Sequence, residues 1–344
     1  MMESKGIRCL VTGATGYLGT VLVKTLHERE YSVTSLALPG DDVGYISRFS
    51  DVRFTDVCDA AALEREAAGY DIFIHLAGIV DIGTRNRALM RRVNVEGTRN
   101  AAALCLKHHM KLLYCGSVHA ITCLPDNETM PEPAGFDPRK VKGLYGKTKA
   151  EATKSVLGMT KQGLDAMIAM PSGIIGPYGR KLTNIEQLIV DFLCGNLKAY
   201  IDGSYNFVDV RDVVNGICAM IEHWSSGECY ILSGHEISVE QMLTEIARAS
   251  NQKMPRTKLP YRFALCTGYL SEAYYALLRK KPLYTHYSIR TLRSNCRFSN
   301  RKAGEDIGFS ARSARESLFD MTEWVMEHFV KKTGAKYTPC PFKE

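Results

Sequence analysis

The stretch Thr12-Gly13-Ala14-Thr15-Gly16-Tyr17-Leu18-Gly19 follows an apolar run, Ile7 to Val11, and leads into a helical pattern that continues to about Glu30. Its spacing is Gly-x-x-Gly-x-x-Gly between a strand and a helix. Gly13 permits the tight turn, Gly16 lets the backbone approach a pyrophosphate, and Gly19 allows the helix to pack closely on the strand. The helix N-terminus, with its unpaired N–H groups and positive dipole end, favours the anion. Glycines also punctuate ordinary turns. In this context the turn reads as a dinucleotide site formed by Gly13, Thr15, Gly16, Tyr17, Leu18 and Gly19.

Working outward, short apolar runs alternate with helical patterns. Strands are expected at Ser32–Ala37, Val52–Phe54, Ile72–Leu76, Leu112–Cys115 and Ala166–Met170, and helices at Ala60–Ala67, Arg87–His109 and about Gly143–Gln162. Such alternation predicts an α/β fold: a Rossmann doubly wound parallel sheet with a smaller C-terminal substrate-binding lobe. The expected dinucleotide-binding domain is 1–175, returning at about 208–235. The lobe is 176–207 and 236–342, where the patterns are less regular and most of the tyrosines lie.

Two positions bear on which dinucleotide is bound. An acid about 20 residues beyond the glycines would accept a ribose 2′-hydroxyl, and an Arg there would accommodate a 2′-phosphate. The second strand ends Leu38-Pro39-Gly40-Asp41-Asp42. Asp41 and Asp42 lie slightly late and suit a turn as well, so the cofactor is NAD or NADP with a tilt toward NAD. Asp56-Val57, after the third strand, would place a carboxylate near the adenine amino group; an exposed loop Asp fits the position equally.

Tyr145 and Lys149 stand at i and i+4, on one helix face. A phenol is a poor acid-base catalyst at neutral pH, but an adjacent ammonium favours phenolate and is expected to lower its pKa. Tyr145 would then exchange a proton with a carbonyl or alcohol oxygen. Ser117 falls where the fifth strand reaches the carboxyl edge, placed to hold the same oxygen, although a strand-end Ser also suits a loop amide. His119, two residues on, is expected to line the pocket wall or to pack.

The Thr12–Gly19 turn, His75-Leu76-Ala77-Gly78, Asn94-Val95-Glu96-Gly97-Thr98, Ser117, Tyr145 with Lys149, and Pro171-Ser172-Gly173-Ile174-Ile175-Gly176-Pro177 together resemble the extended short-chain dehydrogenase/reductases, over about residues 7 to 330. Within that group the chain is most similar to the dihydroflavonol reductase-like and NAD-dependent epimerase/dehydratase-like proteins. The resemblance implies hydride passage between nicotinamide and a substrate carbon, Tyr145 acting as acid/base, Lys149 holding the ribose and Ser117 polarising the carbonyl. It places Leu76, Ala77, Gly78, Asn94, Pro171, Ser172 and Ile174 on the cofactor side, Asn94 in an active-site support or a structural role. Substrate-side candidates are Val80, Val118, His119, Tyr178 and Tyr205, and a homodimer through the long helices is a further implication. Two departures stand out. Ala169-Met170-Pro171-Ser172-Gly173 replaces the Arg-Tyr-Phe-Asn type segment of sugar-nucleotide enzymes, and Leu38 replaces the Arg that dihydroflavonol reductase-like members often carry after the second strand.

Composition agrees with a large packed core: 45% of the 344 residues are hydrophobic and 24% charged. That balance excludes a disordered or collagen-like chain. The eleven cysteines are scattered without Cys-x-x-Cys or metal-ligand spacing, so no metal is expected, and reduced thiols in a cytoplasmic protein fit best. No signal peptide or spanning segment is read. The net charge of +7 is uneven: residues 251–305 hold twelve Lys/Arg against Glu272 and Glu305, a net of +10, which leaves −3 elsewhere. Pro260 to Tyr284 reads as an amphipathic helix ending in Arg279-Lys280-Lys281. It suits either a solvated lobe helix or a surface that meets anionic lipid or guides an anionic or lipid-like substrate. No nucleic-acid motif accompanies the charge. The expected function is an NAD(P)-dependent reductase/dehydrogenase of a ketone or secondary alcohol. The alternatives are a sugar-nucleotide epimerase or dehydratase, and a dinucleotide-sensing regulator without turnover.

Overall fold

A computed structural model describes residues 6–80, 86–265, 286–334 and 336–343. The central sheet has seven strands: β1 (Arg8–Thr12), β2 (Ser32–Ala37), β3 (Asp51–Phe54), β4 (Ile72–His75), β5 (Lys111–Cys115), β6 (Ala166–Pro171) and, after three strands outside this sheet, β10 (Cys229–Leu232). Their order is β10-β6-β5-β4-β1-β2-β3, and every pairing is parallel. Strand order therefore reverses between β1 and β4, the switch point at whose carboxyl edge open α/β sheets bind ligands.

Alternation along each strand feeds two cores. Cys9 and Val11, Ile72 and Ile74, Leu113, Met167 and Ala169 point to the face covered by α1 (Tyr17–Glu28) and, later in the chain, the helix Val210–Glu222. Leu10, Phe73, Leu112, Tyr114 and Ile168 point to the opposite face, with α2 (Ala60–Arg65) at its margin. Strands buried on both faces read as continuous apolar runs, as parallel sheets require.

The expected single helix over 87–109 is three segments: α3 (Arg87–Arg91), a π-helical turn Arg92–Gly97, and α4 (Thr98–His108). The wider turn carries Asn94, which is wholly buried; π-turns of this kind recur at functional sites. Next comes α5 (Leu144–Thr160).

The chain leaves the sheet at Pro171 and, one residue later, starts β7 (Gly173–Ile175), which pairs with β9 (Ser204–Asp209); β11 (His235–Ser238) completes this small sheet. Thus β7, within 1–175, pairs with a lobe strand. The lobe is also more regular than its sequence suggests. It holds α6 (Asn184–Leu193), the strand β8 (Ala199–Ile201), α8 (Val239–Ser250) and α9 (Ala314–His328), numbering the helix Val210–Glu222 as α7. Ile189, Phe192, Leu243, Ile246, Leu318, Met321 and Val325 form its core.

Candidate active site

The glycine turn is pressed against the exit of β4. Gly13 has φ +71, and a Cβ there would stand 2.7 Å from Ala77 N and 2.8 Å from Leu76 C. At Gly19 a Cβ would lie 2.1 Å from Gly13 O. Between them Gly16 N–H donates to Gly13 O at 3.0 Å. Helix α1 starts at Tyr17 with no side-chain cap and no acid in its first turn, so its N-terminal N–H donors and dipole suit an incoming anion. The Leu18 side chain packs on the core below, and Tyr17 Oη donates to Gly176 O at 2.5 Å, tying the turn to the lobe.

Asp41 is the acid that reaches this turn. Its Oδ2 accepts from Thr15 Oγ1 at 2.9 Å and from Leu38 N–H at 3.2 Å, whereas Asp42 accepts from Gly44 N–H in a local turn. Asp56 accepts from Cys58 N–H of its own loop at 2.8 Å and from Arg92 of the π-turn at 3.3 Å; Val57 is buried in the core beneath.

Ser117 lies just past β5 and caps a 3₁₀ turn, Val118–Ala120. Tyr145 and Lys149 sit on the first turns of α5, which packs onto that turn so closely that a Cβ at Gly146 would lie 2.7 Å from His119 O. Gly146 is thus a residue of the site that sequence reasoning passed over, its only signal being a glycine inside Tyr-x-x-x-Lys. Lys149 is buried, its Nζ donating to Cys115 O at 2.8 Å and standing 5.0 Å from the Tyr114 ring. A Cβ at Gly78 would be 3.4 Å from both Lys149 Nζ and Asn94 Oδ1, so the β4 exit loop abuts the lysine. Burial pushes the Tyr145 phenol up; the Lys149 ammonium and a hydrogen bond with Ser117 pull it down, and the net direction is up. The expected lowering is corrected accordingly: desolvation outweighs the cation.

Asn94 spends its carboxamide on the chain itself. Oδ1 accepts from Ile79 N–H at 2.7 Å, and Nδ2 donates to Ile79 O and Thr148 Oγ1 at 3.0 and 3.1 Å. It joins the β4 loop to α5. Beside it, His75 is fully buried between Thr12 Oγ1 (2.8 Å) and Thr98 Oγ1 (3.0 Å). Burial first, then the Lys149 charge, lowers the imidazole to about 3, so it is neutral. Its linking role was missed because its partners come from β1 and from α4, 63 and 23 positions away in sequence.

Pro171 ends β6, Ile174 lies in β7, and between them the buried Ser172 hydroxyl has no hydrogen-bond partner among the described residues. Among the substrate-side candidates, His119 and Tyr205 come together, with His119 against Tyr145. Val80 is 71% exposed at the start of a stretch whose next residues, 81–85, lie outside the described ones. Val118 is 1% exposed and belongs to the core under the site; the 3₁₀ turn sends it inward while Ser117 and His119 face α5. Tyr178, at φ +76, packs edge-on against Trp324 at 5.3 Å and lines a depression with Thr20, Lys24 and Arg211. The β7 exit carries it toward the outer side of α1, so neither residue joins the group at Tyr145.

The amphipathic helix expected over Pro260–Tyr284 falls mostly on residues 266–285, outside the described ones. On its flanks, basic residues meet internal partners: Lys258 pairs with Asp202 and Glu240, Lys302 with Glu228, and Arg293 lies 4.6 Å from the Tyr261 ring. Among the described residues no helix is long and apolar enough to cross a membrane, no group of three His, Cys, Asp or Glu is placed to hold a metal, and every cysteine is free.

The chain belongs to the NAD dependent epimerase/dehydratase family, whose model matches residues 9–232, from β1 through β10. Its relatives include a Synechocystis sp. protein provisionally named as a dihydroflavonol 4-reductase, 26% identical over 94% of this chain and 96% of that one. Sterol demethylase protein B of Methylococcus capsulatus is 27% identical over 92% and 98%. Among solved structures, that of gox2253 superposes with a TM-score of 0.81 at 29% identity, covering 93% of this chain and 98% of the other. The chain is therefore an NAD-dependent enzyme of the extended short-chain dehydrogenase/reductase type, and its Rossmann fold is the one its sequence predicts.

Proposed function

We propose that the protein is an NAD-dependent reductase/dehydrogenase acting on a ketone or secondary alcohol of an apolar substrate, with Tyr145 as general acid/base, Lys149 as its electrostatic partner and Ser117 as the donor to the substrate oxygen. The observation that carries this reading is the meeting of these three side chains beside the switch point, where the β4 exit loop touches Lys149.

The residues fit a dinucleotide. The cradle at Gly13 and Gly19 has no room for a Cβ, α1 opens without a cap, and the buried Ser172 hydroxyl, near the sheet edge, is without a partner among the described residues. Tyr17, Leu18 and Gly19 would hold the pyrophosphate by backbone N–H groups, Asp41 the adenosine ribose, and Lys149 the ribose near the reacting end. Bound NAD supplies the carbon that gives or takes the hydride.

The chain's own groups handle the proton. Ser117 Oγ accepts from His119 N–H at 3.2 Å, and its own proton, shared with Tyr145 in the structure, would turn to a substrate oxygen that enters between them. In reduction the Tyr145 phenol donates its proton as the carbonyl oxygen gains charge, and Lys149 stabilises the phenolate left behind. Oxidation of the alcohol runs these steps in reverse. A raised phenol is protonated at neutral pH, the form carbonyl reduction needs. The names of the sterol and dihydroflavonol relatives support an apolar polycyclic substrate.

The test is a panel: NADH with dihydroquercetin, NAD with a 3β-hydroxysterol, and UDP-glucose with the protein as purified. Net cofactor consumption with one of the first two supports the proposal. Conversion of UDP-glucose without net consumption replaces it with an epimerase or dehydratase. Tyr145→Phe is expected to lower turnover on the order of 10²–10⁴-fold with NADH binding unchanged, and full turnover in that variant would refute the assigned chemistry.

A further inference from the structure

The imidazole of His119 has no part in the proton transfer described above, yet it touches the group that performs it. Its ring meets that of Tyr145 edge-on, centroids 5.6 Å apart at 72°. On its other side it stacks on Tyr205 at 5.5 Å and 16°, with Nε2 and Tyr205 Oη 2.8 Å apart. Tyr205 is a buried residue of β9, itself edge-on to Phe207 at 5.6 Å, and Phe207 closes over Gly173 of β7. The lobe sheet therefore reaches the helix that carries Tyr145 through this imidazole. Burial lowers that imidazole to about 4, so the ring is neutral.

We propose that His119, held by Tyr205, is a positioning residue for Tyr145 and Ser117; the idea rests on the reading of Tyr145 as acid/base. The backbone of His119 occupies a lone pair of Ser117 Oγ and so holds the hydroxyl where it bonds Tyr145. The ring fixes the phenol by an edge-to-face contact, a geometry aromatic pairs prefer, and limits its swing away from Ser117 and Lys149. Tyr205 orients the ring by stacking and by the hydrogen bond. Because Tyr205 arrives on β9, the seating of the lobe on the sheet sets the aim of the catalytic phenol.

The test uses full-length protein labelled with fluorotyrosine and read by fluorine NMR, the Tyr145 resonance being identified by its loss in Tyr145→Phe. His119→Ala is expected to shift and broaden that resonance while leaving most others in place. His119→Phe, which keeps the ring contact, brings it back toward the native position, and Tyr205→Phe gives a smaller shift. With NADH and dihydroquercetin, His119→Ala is expected to lower kcat about ten- to a hundredfold with KM within about twofold. A Tyr145 resonance unmoved in His119→Ala overturns the proposal, as does a change confined to KM, which would make His119 a substrate contact. Should His119→Ala fail to fold, Tyr205→Phe, lacking one oxygen, decides by the same resonance. Full turnover in Tyr145→Phe would instead remove the acid/base reading itself.

Discussion

At Tyr145 two opposing influences act on one phenol, and under the proposed acid/base role their balance sets the pH behaviour of the reaction. Burial disfavours the phenolate; Lys149 and Ser117 favour it, and burial prevails. Alcohol oxidation, which needs the phenolate as base, is expected to quicken as pH rises toward the alkaline phenol range, while carbonyl reduction holds through neutrality and falls at alkaline pH. Lys149→Met should displace both profiles to higher pH, because the group that stabilises phenolate is gone; pH profiles of kcat in each direction check this. Under the proposed function Asp41 would act on the cofactor in the same electrostatic manner. A carboxylate held against the turn by Thr15 accepts a hydroxyl and repels a phosphate, so NADH should bind at least about tenfold more tightly than NADPH. Asp41→Asn should narrow that margin, mainly by improving NADPH, as read by fluorescence titration.

The elements that carry these residues are held by backbone contacts that allow no extra atom. At Gly19 a Cβ would meet the carbonyl of Gly13 at 2.1 Å, so α1 would have to move off β1. Gly19→Ala is expected to destabilise by roughly 1–3 kcal/mol and to weaken NADH binding together with it, measured by urea unfolding and by titration. Helix α5 is seated by the same device at Gly146, and there the neighbouring backbone is the turn bearing His119. The π-turn Arg92–Gly97 works differently, turning Asn94 inward to clasp Ile79 and Thr148. One wide turn thereby joins the exit of β4, where cofactor is expected, to the helix that carries Tyr145 and Lys149.

Across the whole molecule, the buried neutral His75 makes the fold acid-sensitive. Its folded pKa, about 3, lies below the ordinary 6.5. Between those values the unfolded chain binds a proton that the folded chain does not. Stability from this residue is intact above about 6.5 and is lost as pH falls toward 3, on the order of 1 kcal/mol per pH unit. The urea midpoint should drop between neutral pH and about pH 5, with a flatter response in His75→Gln. The sequence alone determined the succession of the first six strands of the central sheet, the glycine turn, and the pairing of Tyr145 with Lys149, because each follows from short-range periodicity and from residues a few positions apart. The family resemblance was legible for the same reason, since its motifs are local. Only the tertiary structure decided that Asp41 rather than Asp42 reaches the turn, that Val118 is core and Tyr178 lies apart from the site, and that burial outweighs Lys149 at the phenol. It alone brought His119, in the turn after β5, against Tyr205 from β9. Those outcomes depend on which distant surfaces pack together and how much water they exclude, quantities that no local pattern in the chain contains.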